Sequence, residues 1–230
     1  MTADAGAALD AAARLGPYFA WERYDGAPGW RPLPDLLDAG VLEQRVDLGR
    51  RMLARMGGFG VGDIEERVVA STIFLGLASR LLSPLLGAVA STGVLPLPDP
   101  ARLWWRPVES GPMPVAFHDL PVETGVDGFG AAFTRTATRG LIVPLAGAVQ
   151  RRFVLSPQVV WGNVASALGG ALRMIPDAGP AVAVVGSALS VPPLRGMATL
   201  TGRSLMRNNC CLYYRIPGGG TCGDCVLNTR

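Results

Sequence analysis

Cys210-Cys211-Leu212-Tyr213-Tyr214-Arg215-Ile216-Pro217-Gly218-Gly219-Gly220-Thr221-Cys222-Gly223-Asp224-Cys225 contains every cysteine of this 230-residue chain. Two adjacent thiols, ten residues and then Cys-x-x-Cys put four sulfur donors into one short loop. Four thiolates are a complete ligand set for a zinc ion or an iron-sulfur cluster. Cys222-Gly223-Asp224-Cys225 by itself is ambiguous between metal ligation and thiol redox chemistry. The adjacent pair Cys210-Cys211 narrows the choice, because structural zinc normally takes knuckles whose ligands are separated by about two to four residues. Iron-sulfur clusters also tend to avoid adjacent ligands, so spacing alone excludes neither. Four cysteines with no accompanying histidine favour two irons with two ligands each.

Between the cysteine pairs, Pro217-Gly218-Gly219-Gly220 lets the chain reverse at low steric cost. It is expected to bring backbone N–H groups near the sulfurs, where such bonds raise a cluster's potential. Arg207 and Arg215 stand where their charge would offset part of that of a thiolate-ligated centre, although both are equally compatible with ordinary surface positions. The whole chain is 49% hydrophobic and only 17% charged, which implies a generous interior and no disorder. All 21 basic residues are arginine, and the net charge of +3 is spread without the basic run that tracks a nucleic-acid backbone. Nucleic acid is therefore not an expected partner. Met1 to Arg14 carries acidic and small residues where a secretion signal would place a basic segment and an apolar run. The expectation is a cytoplasmic protein, in which clustered thiols stay reduced.

Upstream of the loop the pattern is mostly helical. Pro180 to Leu189 predicts an apolar helix closed by Pro192-Pro193. Ser156-Pro157, a cap followed by a proline at a first helical position, opens a helix through Leu172 rich in small residues, which permit close approach of another element. Trp161 and Asn163 are its polar handles, packing is the first reading of both, and a buried Asn163 must find hydrogen-bond partners. Phe153 to Leu172 is free of charge for about the length that spans a bilayer, but Pro157, Gln158 and Asn163 favour a buried helix. Peripheral membrane association through the apolar helices stays open. Phe129 to Phe153 reads as helix with a break or kink at Pro144. Its Arg135, Arg139, Arg151 and Arg152 form a solvated face or meet an anionic partner. Leu103 to Arg106 and Val115 to His118, on either side of Gly111-Pro112, predict an antiparallel hairpin. The lone His118 has no carboxylate or cysteine cluster beside it and reads as structural.

Ile64 to Arg80, apolar nearly all round after Val68, predicts a central helix, capped by Asp63 and restarted or kinked at Ser83-Pro84. Gly57-Gly58-Phe59-Gly60-Val61-Gly62 lacks the lysine of a phosphate loop and follows no strand, so it reads as a connection between helices. Leu33 to Met56 repeats apolar residues with helical period and a break near Gly40. Asp4 to Leu15 is a short alanine-rich helix stopped at Gly16-Pro17. The expectation is a single α+β domain over residues 1–230, mainly helical with a small antiparallel β-sheet or hairpin. Residues 203–230 form its C-terminal cluster-binding loop.

The tail resembles the end of the siderophore-iron reductases of the ferric iron reductase (ferrioxamine reductase-like) family, whose members carry a Cys-Cys-x10-Cys-x2-Cys signature. Trp161-Gly162-Asn163, followed by Ala165 and Ser166, is similar to another recurrent stretch of that family. Together they cover about the last third of the chain. The resemblance implies one [2Fe-2S] cluster on Cys210, Cys211, Cys222 and Cys225. It also implies one-electron reduction of a cytoplasmic Fe(III)-siderophore with release of Fe(II). Siderophores hold Fe(III) through hard oxygen donors far more tightly than Fe(II). All-cysteine clusters reach low potentials, around −400 mV in plant-type ferredoxins, so no catalytic acid, base or nucleophile is required. Trp161, Asn163, Tyr213, Tyr214 and Arg215 are the expected chelate-binding residues. No GxGxxG turn follows a strand, so electrons are expected from a separate donor such as a ferredoxin or an NAD(P)H-dependent reductase. Three other readings stay open: a zinc-stabilised interaction domain, a ferredoxin-like carrier or redox sensor, and a scaffold in siderophore assembly.

Overall fold

The structure, a computed structural model, describes residues 4–229. It opens with α1 (Ala5–Ala13), capped by the Asp4 carboxylate on the Ala7 N–H and stopped ahead of Gly16-Pro17. Two short strands, β1 (Glu22–Arg23) and β2 (Arg31–Pro32), lead into a 3-10 turn over Leu33–Leu37 and then α2 (Ala39–Gly57). The break expected near Gly40 falls at Asp38, whose carboxylate accepts the Val41 N–H and caps α2.

Helix α3 (Glu66–Thr92) is the axis of the fold, buried on nearly every side from Val68 to Val89. By length and apolarity it could cross a bilayer, yet 72% of its most apolar stretch lies inside the protein. Two expectations about it change. Asp63 does not cap it: that carboxylate turns back to the Gly60 N–H, and Glu65 takes the cap position without a side-chain bond. Pro84 does not restart it either, and the helix runs on to a left-handed Gly93. A proline lacks the N–H that would satisfy the carbonyl one turn earlier, here that of Arg80. Trp21 Nε1 donates to that carbonyl at 2.9 Å and supplies the missing bond.

The Arg80 side chain is 4% exposed, and its guanidinium donates to the carbonyls of Met113 (2.7 Å), Pro17 (2.7 Å) and Ala20 (2.8 Å). Burial lowers its pKa to about 10. It ties the N-terminal segment and the turn before β5 to the central helix. Arg80→Met strands the buried Met113 carbonyl and leaves the part-buried carbonyls of Pro17 and Ala20 to solvent, and is expected to lower stability by about 2 kcal/mol in urea unfolding, most of it from Met113. An unchanged midpoint would show that the knot contributes nothing.

After β3 (Leu95–Pro96), strands β4 (Leu103–Trp105) and β5 (Val115–Phe117) form the predicted antiparallel hairpin, with Trp104 opposite Ala116. It is the centre of a larger, mixed sheet of order β1-β5-β4-β2, in which β1 runs parallel to β5. β6 (Val122–Glu123) pairs with β3. His118 is exposed just beyond β5.

α4 (Phe129–Phe133) passes through a π-helical stretch, Thr134–Ile142, into α5 (Val143–Phe153). The break foreseen at Pro144 takes this form. The wider register carries the Val143 N–H to the Thr138 carbonyl and delivers Pro144 into the first turn of α5, where its missing N–H costs least. α6 (Pro157–Met174) starts on the predicted Ser156 cap and is buried continuously from Gly162 to Gly169. α7 (Gly179–Leu189) follows.

An element absent from the sequence reading comes next: a hairpin of β7 (Ala198–Thr201) and β8 (Ser204–Arg207), with Leu205 and Arg207 facing inward. β8 lies on α6, where Gly169 leaves room for the Leu205 side chain. The small residues of α6 therefore serve this strand. The cysteine loop is not simply appended; it leaves a hairpin that is clamped to a core helix.

Candidate metal centre

The sulfurs of Cys211 and Cys222, one from each limb of the loop, lie 3.5 Å apart. Cys211 and Cys225 are buried, Cys210 and Cys222 half-buried, and no disulfide joins any of the four. Burial pushes the Cys210 and Cys222 thiols up, and the neighbouring sulfurs of Cys211 and Cys225 add to the effect on both. The two limbs of the loop thus meet at Cys211 and Cys222. A metal that takes thiolates there must displace their protons, so loading is favoured as pH rises.

The loop orients its own backbone toward the sulfurs. Leu212 N–H donates to Cys210 Sγ (3.3 Å) and Leu227 N–H to Cys225 Sγ (3.4 Å). Leu212 sits in the left-handed region at φ 69°, a conformation that costs a branched side chain on the order of 1 kcal/mol and here aims its N–H at the sulfur. The glycines make the expected reversal, while the Gly219 N–H turns to a carbonyl and not to a sulfur. Gly218 and Gly220, with φ of 73° and 65°, make the reversal, and the Gly219 N–H returns to the Ile216 carbonyl.

Behind the loop a buried polar chain joins three elements. Ser71 Oγ on α3 donates to the Cys211 carbonyl at 2.7 Å. Asn163 Nδ2 on α6 donates to Ser71 O and Oγ, each at 2.8 Å, and its Oδ1 accepts from Arg207 Nη1 at 3.0 Å. Arg207 Nη2 reaches on to Asn209 Oδ1 at 2.9 Å. Asn163 is 0% and Arg207 1% exposed, and no carboxylate pairs with this arginine among the described residues. Its charge acts instead on Cys210, where it opposes in small part the upward shift caused by burial. The other limb is held by the buried Asp224, which accepts the Ser166 hydroxyl. Positions 162, 163 and 166 of one helix face therefore support both limbs. Ser71, Asn209 and Asp224 were given no role from sequence, and Ser166 entered only as part of the stretch that follows Trp161-Gly162-Asn163. A serine inside the apolar run Val68-Val69-Ala70 and a carboxylate inside Cys-x-x-Cys were the available signals.

Of the expected chelate-binding residues, Tyr214 is 46% exposed, while Tyr213 and Trp161 are half-buried against the core. Arg215 donates to Glu65 Oε1 at 2.6 Å and to the Tyr214 hydroxyl at 3.4 Å, pinning the tail to the start of α3. Asn163 is displaced from that group: buried, and bonded through both atoms of its amide, it lies behind the loop and offers no surface to a ligand.

Among the described residues no three His, Cys, Asp or Glu side chains are grouped to hold one metal ion. A tetrahedral zinc site with Zn–S near 2.3 Å would draw all four sulfurs to within about 3.8 Å of each other. Four thiols on two limbs fit a two-iron cluster, with two ligands to each iron. Residues 207–227 match the family described as the FhuF 2Fe-2S C-terminal domain, a span that begins at Arg207 and includes all four cysteines. The cofactor of this tail is a [2Fe-2S] cluster. No curated protein matches the chain.

Proposed function

We propose that this protein reduces cytoplasmic Fe(III)-siderophores by one electron and releases Fe(II), with Cys210, Cys211, Cys222 and Cys225 as the cluster ligands. The observation that carries the reading is the asymmetry of the loop. Cys211 and Cys225 are buried, whereas Cys210 and Cys222 reach toward the surface on a loop that also exposes Tyr214. A donor to a bulky chelate needs one insulated side and one accessible side. When bound, the cluster supplies a single electron at low potential.

The residues of the chain then bind and insulate; none has to move a proton. Ser71, Asn163 and Arg207 fix the Cys211 limb, and Ser166 fixes the Cys225 limb through Asp224. Tyr213, Tyr214 and Trp161 provide aromatic walls, and Arg215 keeps part of its charge available at an exposed ion pair with Glu65. Electrons come from a separate ferredoxin or NAD(P)H-dependent reductase, which uses the same open side before the chelate arrives.

Anaerobic mixing of the dithionite-reduced protein with ferric siderophores is expected to reoxidise it, with Fe(II) trapped by a ferrous chelator. Tyr214→Ala is expected to weaken apparent affinity about fivefold, for an aromatic contact worth roughly 1 kcal/mol. If no ferric siderophore reoxidises the protein, the acceptor is not a chelate, and the ferredoxin-like carrier replaces this reading.

A further inference from the structure

Three arginines gather at one open hollow between α4, the π-helical stretch and α7. Arg135 and Arg139, about one turn apart on that stretch, line a hollow of about 380 Å³ with Thr134, Ser187 and Val191. The two helices touch here, since a Cβ on Gly130 would lie 2.2 Å from Ser187 Oγ, and they present these side chains as one face. Arg195 adjoins it from the turn after α7: its N–H returns to the Val191 carbonyl at 3.0 Å and its Nε donates to the Ser190 carbonyl at 2.7 Å.

All three arginines are exposed, and none pairs with a carboxylate among the described residues. No residue that lines the hollow is acidic. The arginines on the Tyr214 side differ, because Arg67 and Arg215 share Glu65, which takes up part of their charge. The basic face continues to the first ligand pair. Gly196 and Met197, next in the chain after Arg195, accept from Asn208, through its Nδ2 at 3.0 Å and its N–H at 2.9 Å respectively. Asn209 Nδ2 lies 3.7 Å from Met197 Sδ, and Asn209 immediately precedes Cys210. Gly196 and Asn208 are exposed and Cys210 is half-buried, so these residues carry the surface from Arg195 to the edge of the cysteine loop.

We infer that Arg135, Arg139 and Arg195 are the footing of an acidic one-electron carrier protein, which delivers its electron at the Cys210 edge. The inference rests on the reductase reading and names the surface chemistry of its electron donor. Exposed cations spread around an open hollow do not enclose a small ion, but they meet the carboxylates of a protein surface and speed its encounter. Electron-transfer encounters need only a small footprint, below about 1,200 Å² in total. The donor then stands on the Cys210 side of the loop and leaves Tyr213, Tyr214 and Trp161 to the chelate. In the step the carrier loses one electron and the oxidised protein gains it, and no bond or proton is exchanged.

Stopped-flow mixing of the oxidised holoprotein with fully reduced flavodoxin, an acidic one-electron carrier whose semiquinone is read at its own wavelength, tests the footing. At low ionic strength the second-order rate constant of the double variant Arg135→Glu/Arg139→Glu is expected to fall at least about tenfold below wild type. In about 1 M salt, where the Debye length is about 3 Å, the two proteins should converge. Arg51→Glu/Arg55→Glu, at exposed positions on α2, changes the net charge equally and should stay within about twofold of wild type. Reoxidation of the dithionite-reduced Arg135→Glu/Arg139→Glu protein by a ferric siderophore should keep its wild-type rate. Equal flavodoxin rates in wild type and Arg135→Glu/Arg139→Glu, an equal loss in Arg51→Glu/Arg55→Glu, or a matching loss in siderophore reoxidation would overturn the inference. Reduction by flavodoxin that depends on Arg135 and Arg139, combined with no oxidation of the reduced protein by any ferric siderophore, would keep the footing and sink the reductase reading.

Discussion

Gly162→Ala is expected to strip the protein of its cluster while leaving its helices intact. On helix propensity alone the change should stabilise α6 by about 1 kcal/mol, since glycine is the poorer helix former. The surroundings reverse that sign. A Cβ at this position would lie 1.7 Å from Asn209 Oδ1 and 2.6 Å from Arg207 Nη2, both far inside van der Waals contact. These atoms are not free to swing aside, because each is bonded to the other and Arg207 is bonded to Asn163. Asn209 immediately precedes Cys210, so relief of the clash moves the first ligand pair. Overpacking of this kind costs about 1–3 kcal/mol. Most of it should be spent on displacing the tail, the least enclosed of the parts involved. Iron and acid-labile sulfide per chain should fall to less than about half of wild type with an unchanged far-UV circular dichroism spectrum. Full cluster content in Gly162→Ala would show that the loop does not depend on this contact.

Arg207→Met should lower the cluster's reduction potential by on the order of 60 mV, a tenfold change in a one-electron equilibrium. Reduction adds negative charge to a centre already surrounded by thiolates, and Arg207 is the buried cation whose charge favours the ionised form of Cys210. Removing it therefore disfavours the reduced form, which is the direction of a falling potential. The neutral side chain also leaves the Asn163 and Asn209 carbonyl oxygens without their donor, at a cost of about 1–3 kcal/mol for each buried group. Arg207→Lys separates the two effects, since it keeps the charge and loses the fork: its potential should stay near wild type while its thermal stability drops. Identical potentials in wild type and Arg207→Met, from titrations followed by EPR, would remove the arginine from any electrostatic role.

The loop chemistry was legible because ligand type and spacing are local properties, visible in Cys210-Cys211 and Cys222-x-x-Cys225 without any fold. The core helix α3 was legible for a related reason: an apolar run with charge only at Arg80 leaves few other options. What could not be read was pairing across distance. That Asn163 needs partners follows from its burial, but nothing in the chain indicates Ser71, 92 residues earlier, as one of them. The β7–β8 hairpin was hidden because one of its inward positions is Arg207, and an arginine in a short alternating stretch looks like a solvent-facing residue. Pro84 misled for the opposite reason. The local rule marks a restart, and a tryptophan from another segment, Trp21, repairs the bond that the rule assumes is lost.

EPR-monitored titration of the reduced protein with a ferric siderophore under anaerobic conditions meets the central claim most directly. Two iron and two sulfide per chain are expected, as a [2Fe-2S] cluster requires, with an EPR signal that appears on reduction and is lost in proportion to the Fe(III)-siderophore added. A colourless zinc protein, or a reduced signal that survives an excess of hydroxamate and catecholate chelates alike, would contradict it.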